Sequence, residues 1–330
     1  MVKLTRALGV AVVLLLTASH LGAAGREPGS LLVYPVYDSI RGVATVITVT
    51  NVNGDHSMDP ARRIKRGTVD VEFIYIDGKT CKEFNRTERL SPRDTLTLIA
   101  SAHCAESALG YLYLFAKDSL TGEPITFNYL IGSLAVVDGI DSIEYGVNAW
   151  RFRGATADGT PTDLDQDGIR DLDGTEYEMA PDRLLFPRFF AQGIGFESTL
   201  TLINLTGGAR FTATVDFEIF NDNEYLFSGE YSFDCWKMVP LAHISGAFQN
   251  GFLKSTDHDP AELVGLSFVE TGWMRLDGNE ASSLTTTLDD PALLGYLVEA
   301  VGPFGSADLP FGEGEQGNGD LLPRALEGDP

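Results

Sequence analysis

The sequence predicts an all-β protein of two tandem β-sandwich modules, of immunoglobulin-like or Greek-key type, that arose by internal duplication. Three observations predict it: short stretches alternate β-branched or aromatic residues with polar ones, sustained helical periodicity is absent, and blocks of the first half recur in the second. Period-two alternation is typical of strands with one buried face. Several short strands separated by turns favour a sandwich.

The alternation is clearest in four stretches of the first half of the chain. They comprise residues 43–52, 69–76, 95–99 and 111–115, and turn signals such as Asp77-Gly78 separate them. Valine, isoleucine, threonine and aromatic side chains suit a pleated, half-buried surface. We therefore expect each stretch to be a strand.

The duplication rests on four blocks that recur in the same order. The pairs are residues 31–35 with 184–187, 44–54 with 198–208, 68–75 with 212–219, and 127–137 with 291–301. Self-similarity of this kind indicates a repeated structural unit. The first module is predicted to span residues 31–154 and the second residues 181–303, joined by an acidic linker over residues 155–180.

The two ends of the chain are predicted to lie outside the modules. Residues 1–24 run from a positive segment through an apolar stretch to small residues, which is the layout of a secretory signal peptide. The alternative is an N-terminal anchor that stays uncleaved. No later stretch is long and apolar enough to span a bilayer, so we expect a secreted, extracellular or periplasmic protein. Residues 304–330 are rich in Gly, Pro and acids and are predicted to be a disordered acidic tail.

The net charge excludes one class of function. A formal charge of −23 repels nucleic acid phosphates and attracts cations, so nucleic acid binding is not expected. One basic cluster interrupts the acidic chain within residues 61–66, namely Arg62, Arg63, Lys65 and Arg66. It is either a docking site for an anionic partner or a solvated hairpin tip.

Three cysteines bear on the redox environment. Export permits a disulfide, and Cys81 and Cys104 are close in sequence and flank a predicted strand, so they are the predicted pair. Closing a loop of that size contributes about 3 kcal/mol in the chain-entropy model. Cys235 is then left over, and its pairing with either of the other two remains open.

The acidic linker contains the one constellation with chemistry in it. Acids alternate from Asp163 through Asp165 to Asp167, and Gly168 follows at the sharp turn. Calcium takes six to eight oxygen ligands, and alternate carboxylates on a tight turn converge on one ion. The predicted ligands are Asp163, Asp165, Asp167, the carbonyl of Ile169, and Asp171, with Asp173 and Glu176 nearby.

The loop resembles the calcium repeats of thrombospondin type 3 and the loops of EF-hand and dockerin modules, over about a dozen residues. In those loops the twelfth position holds a bidentate Glu, whereas this chain has Gly174 there. Asp173, Glu176 or an acid from one of the modules is expected to substitute, and the predicted affinity for Ca²⁺ is weak, on the order of 10⁻⁴ to 10⁻³ M. Bound calcium is expected to stiffen the hinge between the two modules. The alternative is a flexible acidic linker that binds no ion.

No catalytic motif is evident, so we expect a non-enzymatic protein. His103 adjoins Cys104, but neighbouring residues on a strand point to opposite faces. The whole chain resembles uncharacterised secreted bacterial β-sandwich proteins, a resemblance that implies no function. We expect a surface or extracellular role in structure or adhesion. The alternative is a carbohydrate-binding or polysaccharide-acting protein that uses aromatic side chains on one sandwich face, namely Tyr34, Tyr37, Tyr129, Tyr145 and Trp150. The expected partners are other surface proteins, further copies of the chain, or glycans.

Overall fold

The computed structural model describes residues 27–139, 143–193, 195–206, 211–221, 224–253, 270–301 and 304–321. Within these ranges the chain forms antiparallel sheets and a few one-turn helices, so the all-β prediction is confirmed. The predicted signal peptide, residues 1–24, lies outside the described residues. None of the helices in the described ranges has the length and apolar character needed to cross a membrane.

The N-terminal region, residues 27–154, contains two sheets and a small hairpin. Its elements are β1 (Leu31–Asp38), β2 (Val43–Asn51), β3 (Met58–Asp59), β4 (Ile64–Lys65), β5 (Val69–Asp77), β6 (Glu83–Leu90), β7 (Thr95–Ile99), α1 (Ala100–His103), β8 (Leu109–Lys117), β9 (Leu130–Asp138), β10 (Ile143–Asn148) and β11 (Trp150–Phe152). One sheet has the order β11-β1-β8-β5-β6 and the other β10-β9-β2-β7. The four strands predicted in this region correspond to β2, β5, β7 and β8.

The acidic loop, residues 155–180, is followed by the C-terminal region, residues 181–301. Their elements are β12 (Arg170–Leu172), β13 (Arg183–Phe190), β14 (Phe196–Asn204), β15 (Thr212–Asn221), β16 (Leu226–Phe233), β17 (Trp236–Pro240), α2 (Leu241–Ile244), a 3₁₀ turn (Gly246–Phe248), α3 (Asn250–Leu253), β18 (Thr271–Ser282), β19 (Thr287–Asp289) and β20 (Leu293–Val301).

The predicted disordered tail is wrong for the residues that the structure describes. Residues 304–321, here called the strap, form β21 (Phe304–Asp308), β22 (Phe311–Glu313) and β23 (Gly319–Leu321). Strand β21 pairs with β20, β22 with β13, and β23 with β12 of the acidic loop. The composition of the strap suggested disorder, but β21 forms a hairpin with the preceding strand β20, and β22 and β23 pair with the distant strands β13 and β12.

The two regions share one strand order. The sheets of the C-terminal region run β16-β15-β18-β13-β22, with β19 beside β18, and β17-β14-β20-β21. Matched in chain order, these equal β6-β5-β8-β1-β11 and β7-β2-β9-β10. The first strand of each region also has a register shift around a proline, Pro35 in β1 and Pro187 in β13, where the ring removes a ladder donor.

The two regions pack against each other along one shared apolar core. On β14 and β20 alternate side chains point to opposite faces: Leu200 and Leu297 face the interior of the C-terminal region, whereas Ile203 and Tyr296 join the core of the N-terminal region. Strand β1 is buried along almost its whole length. The Tyr34 hydroxyl donates to the Thr48 carbonyl within the N-terminal region at 2.9 Å.

The predicted disulfide pairing is wrong. Cys81 is bonded to Cys235, with Cα atoms 6.1 Å apart, and Cys104 is a buried free thiol. Cys81 lies in the turn between β5 and β6, and the bond joins it to the turn between β16 and β17, which holds Cys235. Cys104 follows α1 and is buried near Tyr37 and Tyr75. Sequence proximity misled the prediction because the bond crosses between the two regions.

Candidate metal centre

The acidic loop is fastened at three places rather than hanging between the regions. Strand β12 pairs with β23, so that Asp171 stands opposite Asp320. Leu172 and Tyr177 are fully buried in the shared core. The Tyr177 hydroxyl and the Thr162 hydroxyl are 2.9 Å apart. These contacts fix the backbone on both sides of the alternating acids.

The turn within the loop has the geometry that the Asp-Gly signal predicts. Gly168 has a φ of +82°, in the left-handed region that favours glycine. The Asp167 N–H donates to Asp165 Oδ1 at 3.2 Å, and the Ile169 N–H donates to Asp167 Oδ1 at 2.8 Å. The side chains thus fold back on their own turn and bring their carboxylates together.

The structure brings five of the predicted acids together in two overlapping groups. Carboxylate oxygens of Asp163, Asp165 and Asp167 lie within 4.8 Å of one another, and so do those of Asp165, Asp171 and Glu176. Asp165 belongs to both groups, so it lies at the centre of the candidate site. The EF-hand pattern has its last acid at the position that is Gly174 in this chain. Glu176, two residues later, is the acid that lies beside the other carboxylates.

Glu176 is the most buried of these acids, with 3% of its surface exposed. Its two carboxylate oxygens accept from the Leu164 N–H and from the Asp171 N–H, the latter at 3.3 Å. Burial raises the pKa of the Glu176 carboxyl, although these backbone hydrogen bonds oppose the effect. An ion beside this carboxylate would offset the cost of holding it charged.

Asp173 was a predicted ligand, but it lies in neither group. Its Oδ1 accepts from the N–H groups of Thr175 and Glu176 at 2.7 and 3.0 Å, and its Oδ2 accepts from the Thr175 hydroxyl. Burial is the largest single influence on the pKa of Asp173 and by itself would raise it. The hydrogen bonds together outweigh burial, so the pKa of Asp173 is lowered. Asp173 therefore shapes the turn at Gly174 and serves as an internal control for charge alone.

Arg170 was missed by the sequence analysis. Its side chain is 3% exposed, its Nη2 donates to Asp163 Oδ2 at 3.0 Å, and its guanidinium lies 5.1 Å from the centre of the Phe115 ring. It is an internal cation that offsets part of the loop's negative charge. The other oxygen of Asp163, Oδ1, is buried and has no hydrogen-bond partner. An unsatisfied buried carboxylate oxygen is the kind of ligand that a hard cation takes.

The surroundings of His103 and Cys104 do not favour a thiolate paired with a protonated histidine. Burial lowers the pKa of His103 and raises the pKa of the Cys104 thiol, so both groups favour their neutral forms. His103 Nδ1 lies 2.8 Å from the Tyr75 hydroxyl and belongs to a packed aromatic cluster with Phe73. The arrangement is that of core residues.

The five aromatic residues proposed for a sugar-binding face do not share one surface. Tyr34 and Tyr37 are core residues, at 0% and 1% exposure. Tyr145 is half-buried, with its hydroxyl 3.3 Å from that of Tyr296, and Tyr129 packs on Phe127. Trp150 alone among them borders a groove, which runs between the N-terminal region and the strap.

Comparisons with known proteins leave the chain without a family. No family model matches, and no curated protein matches. Among solved structures, a chain of the cryo-EM atomic structure of Broad Bean Stain Virus aligns over 91% of this chain and 96% of its own, at 10% identity and a TM-score of 0.21. Similarity at that level carries no argument about fold or function.

Proposed function

We propose that this chain is an exported, non-enzymatic structural or adhesion protein of two duplicated β-sandwich modules, whose acidic loop binds Ca²⁺. The equal strand orders and the proline register shifts in β1 and β13 support a common origin of the two modules. The disulfide between Cys81 and Cys235 is consistent with an oxidising compartment. The leader layout of residues 1–24 supports export.

One observation carries the calcium proposal. Two groups of carboxylates share Asp165. Asp163, a member of the first group, has a buried Oδ1 with no hydrogen-bond partner. An acidic linker that bound nothing would gain from spreading its charges apart, because like charges repel at close range. Here the backbone holds them together, and Arg170 forms a salt bridge with Asp163.

The structure changes what calcium would do. The sequence suggested a hinge that the ion stiffens, but the two regions already share a core. Calcium would instead hold the acidic loop, and through β12 the strap strand β23. The ion would thus secure the C-terminal end of the strap in a calcium-containing environment and leave the pairing of the two regions unaffected.

Calorimetric titration of Ca²⁺ into the metal-free protein tests the proposal. We expect one site with a Kd on the order of 10⁻⁴ to 10⁻³ M. Asp165→Asn removes the carboxylate common to both groups and should weaken binding at least tenfold. Asp173→Asn is the matched control: it removes one charge three residues from Arg170 and should change the Kd less than threefold. Absence of binding heat in the unmodified protein, or equal losses in both variants, would refute the calcium site.

A further inference from the structure

A groove of about 1080 Å³ runs along the outside of the N-terminal region. Its floor is formed by β2 and β9, with Thr48, Thr50, Ile131 and Ser133 among the lining residues. Trp150, the strap and the end of the acidic loop also line it, and Trp150 adjoins the strap, since a Cβ added at Gly312 would lie 3.9 Å from its Cη2. Its size is at the upper end of ordinary ligand clefts.

The floor offers hydroxyl groups but no free strand edge. Strand β9 is paired with β10 and with β2, and β2 is paired with β9 and with β7. A peptide that bound by adding a strand would need unpaired backbone groups. Both edges of each floor strand are occupied, whereas β11 and β22, which also line the groove, are the end strands of their sheets. The Thr48 and Thr50 hydroxyls each meet one threonine of β7, Thr97 and Thr95, at 3.3 and 2.9 Å. Each hydroxyl therefore keeps hydrogen-bonding capacity for a ligand.

The walls add flat apolar surface to this polar floor. Trp150 is partly exposed, and Phe311 of the strap is 65% exposed, so aromatic faces are available at the groove. Ile131 on the floor is 42% exposed. Aromatic rings beside hydroxyl and amide groups suit a ligand that has apolar C–H faces and polar edges.

The charges of the groove select against anions. Its lining holds four carboxylates, from Glu27, Glu178, Asp308 and Glu315, and one guanidinium, from Arg151. Arg151 is ion-paired with Glu178. Glu27 is ion-paired with Arg153, which leaves Asp308 and Glu315 as the source of the net negative charge of the lining. That charge would repel a negatively charged polymer but not a neutral polyol.

We propose that this groove binds a neutral oligosaccharide chain, with Trp150 stacking on a sugar ring and the Thr48, Thr50 and Ser133 hydroxyls bonding sugar hydroxyls. The proposal goes beyond the calcium-binding structural role and does not depend on the ion. It narrows the sandwich-face hypothesis to the outer surface of the sheet β10-β9-β2-β7, because Trp150 is the one member of the five proposed aromatic residues that lines the groove.

Titration of neutral hexasaccharides with different linkages, followed by tryptophan fluorescence and calorimetry, tests the proposal. The probes are β-1,4-glucan, β-1,4-xylan, β-1,4-mannan and β-1,3-glucan hexaoses, with hexagalacturonate as the anionic counterpart and an extended neutral peptide as the alternative polymer. We expect at least one neutral hexaose to bind and hexagalacturonate to bind at least tenfold more weakly. Binding of the peptide alone, or no binding of any hexaose, would overturn the proposal.

Variants locate the binding. Trp150→Ala should weaken the binding of the neutral hexaose at least tenfold, whereas Trp273→Ala, at a partly exposed tryptophan stacked on Phe220 outside the groove, should change it less than twofold. Thr50→Val keeps the shape of a surface strand residue and removes one floor hydroxyl, with an expected loss of three- to tenfold. It is the deciding variant if Trp150→Ala fails to fold. Unchanged binding in Thr50→Val, or equal losses at Trp150 and Trp273, would refute the groove as the site.

Discussion

Besides the apolar core that the two regions of the molecule share, two junctions between them have opposite chemistry. At the first, the Cys81–Cys235 bond lies beside Trp236, whose indole N–H donates to the Pro35 carbonyl at 2.9 Å. At the second, the acidic loop gathers carboxylates around one buried arginine, Arg170. The first junction is covalent and apolar and needs nothing from solution. The second leaves charge uncompensated, so its stability depends on what the solution supplies.

Removal of the disulfide tests the first junction and has the largest expected effect. The bond joins residues 154 positions apart, and in the chain-entropy model a loop of that length stabilises the fold by about 5 kcal/mol. The double variant Cys81→Ser, Cys235→Ser should lose most of this free energy of unfolding. Denaturant unfolding followed by tryptophan fluorescence measures it.

Cys104→Ala is the control for the disulfide, because that cysteine is buried but unbonded. We expect it to cost about 1 kcal/mol. A cost equal to that of the double variant would contradict the pairing. Peptide mapping without reduction checks the pairing directly. A disulfide-linked Cys81–Cys104 peptide would also contradict the pairing of Cys81 with Cys235.

Trp236→Ala tests the apolar part of the same junction. The indole is 5% exposed and packs on Gly78, where an added Cβ would lie 2.4 Å from a ring carbon. Truncation should therefore cost about 3 to 5 kcal/mol. Trp236→Phe keeps an aromatic ring and removes the bond to Pro35, which is worth about 1 kcal/mol. If the alanine variant were no less stable than the phenylalanine variant, the ring would not be holding the two regions together.

Ca²⁺ should stabilise the protein by less than the disulfide does. At ten to a hundred times the Kd, one site adds about 1.4 to 2.7 kcal/mol to the free energy of unfolding. Hydrogen exchange should slow at the amides of β12 and β23 and stay unchanged around Cys81, because the ion acts on the second junction only. Asp165→Asn should abolish both effects. Equal protection at the two junctions would mean that the loop and the disulfide act as one unit.

The fold was predictable from the sequence where the pattern is local. Alternation in residues 43–52 and 69–76 identified β2 and β5, since each strand shows its own buried face. The strap escaped prediction because β22 and β23 are ordered by β13 and β12, which lie far away in the chain, and only β21 has a neighbouring partner strand, β20. The disulfide was mispredicted for the same reason: Cys81 and Cys235 meet only after both regions have folded and packed.

The residues of the candidate site also divide into those that a local sequence pattern predicts and those that only the folded structure reveals. Asp163, Asp165 and Asp167 were predictable because alternate residues on one tight turn must lie close together. Glu176 was named as a substitute, and the structure brings it beside Asp165 and Asp171. Arg170 gave no signal, because an arginine next to an aspartate in sequence resembles any solvated pair. Only the packing of β12 against Phe115 shows that its charge is buried.

Glu176 provides the smallest and most specific expected effect, a proton released when Ca²⁺ binds. Burial raises the pKa of this carboxyl in the folded protein, so its contribution to stability is present below its unfolded pKa and is lost as pH rises through the folded pKa. An ion that takes the carboxylate as a ligand lowers that pKa again, so binding displaces up to one proton and the affinity falls as pH falls. Calorimetry in two buffers with different ionisation enthalpies measures this proton release, which should grow from pH 7 toward mildly acid pH.

Glu176→Gln should remove the release and leave the weaker binding nearly independent of pH. Asp173→Asn should keep the release, because hydrogen bonds already lower the pKa of Asp173. Proton release that persists in Glu176→Gln would assign the titrating group to another acid of the loop.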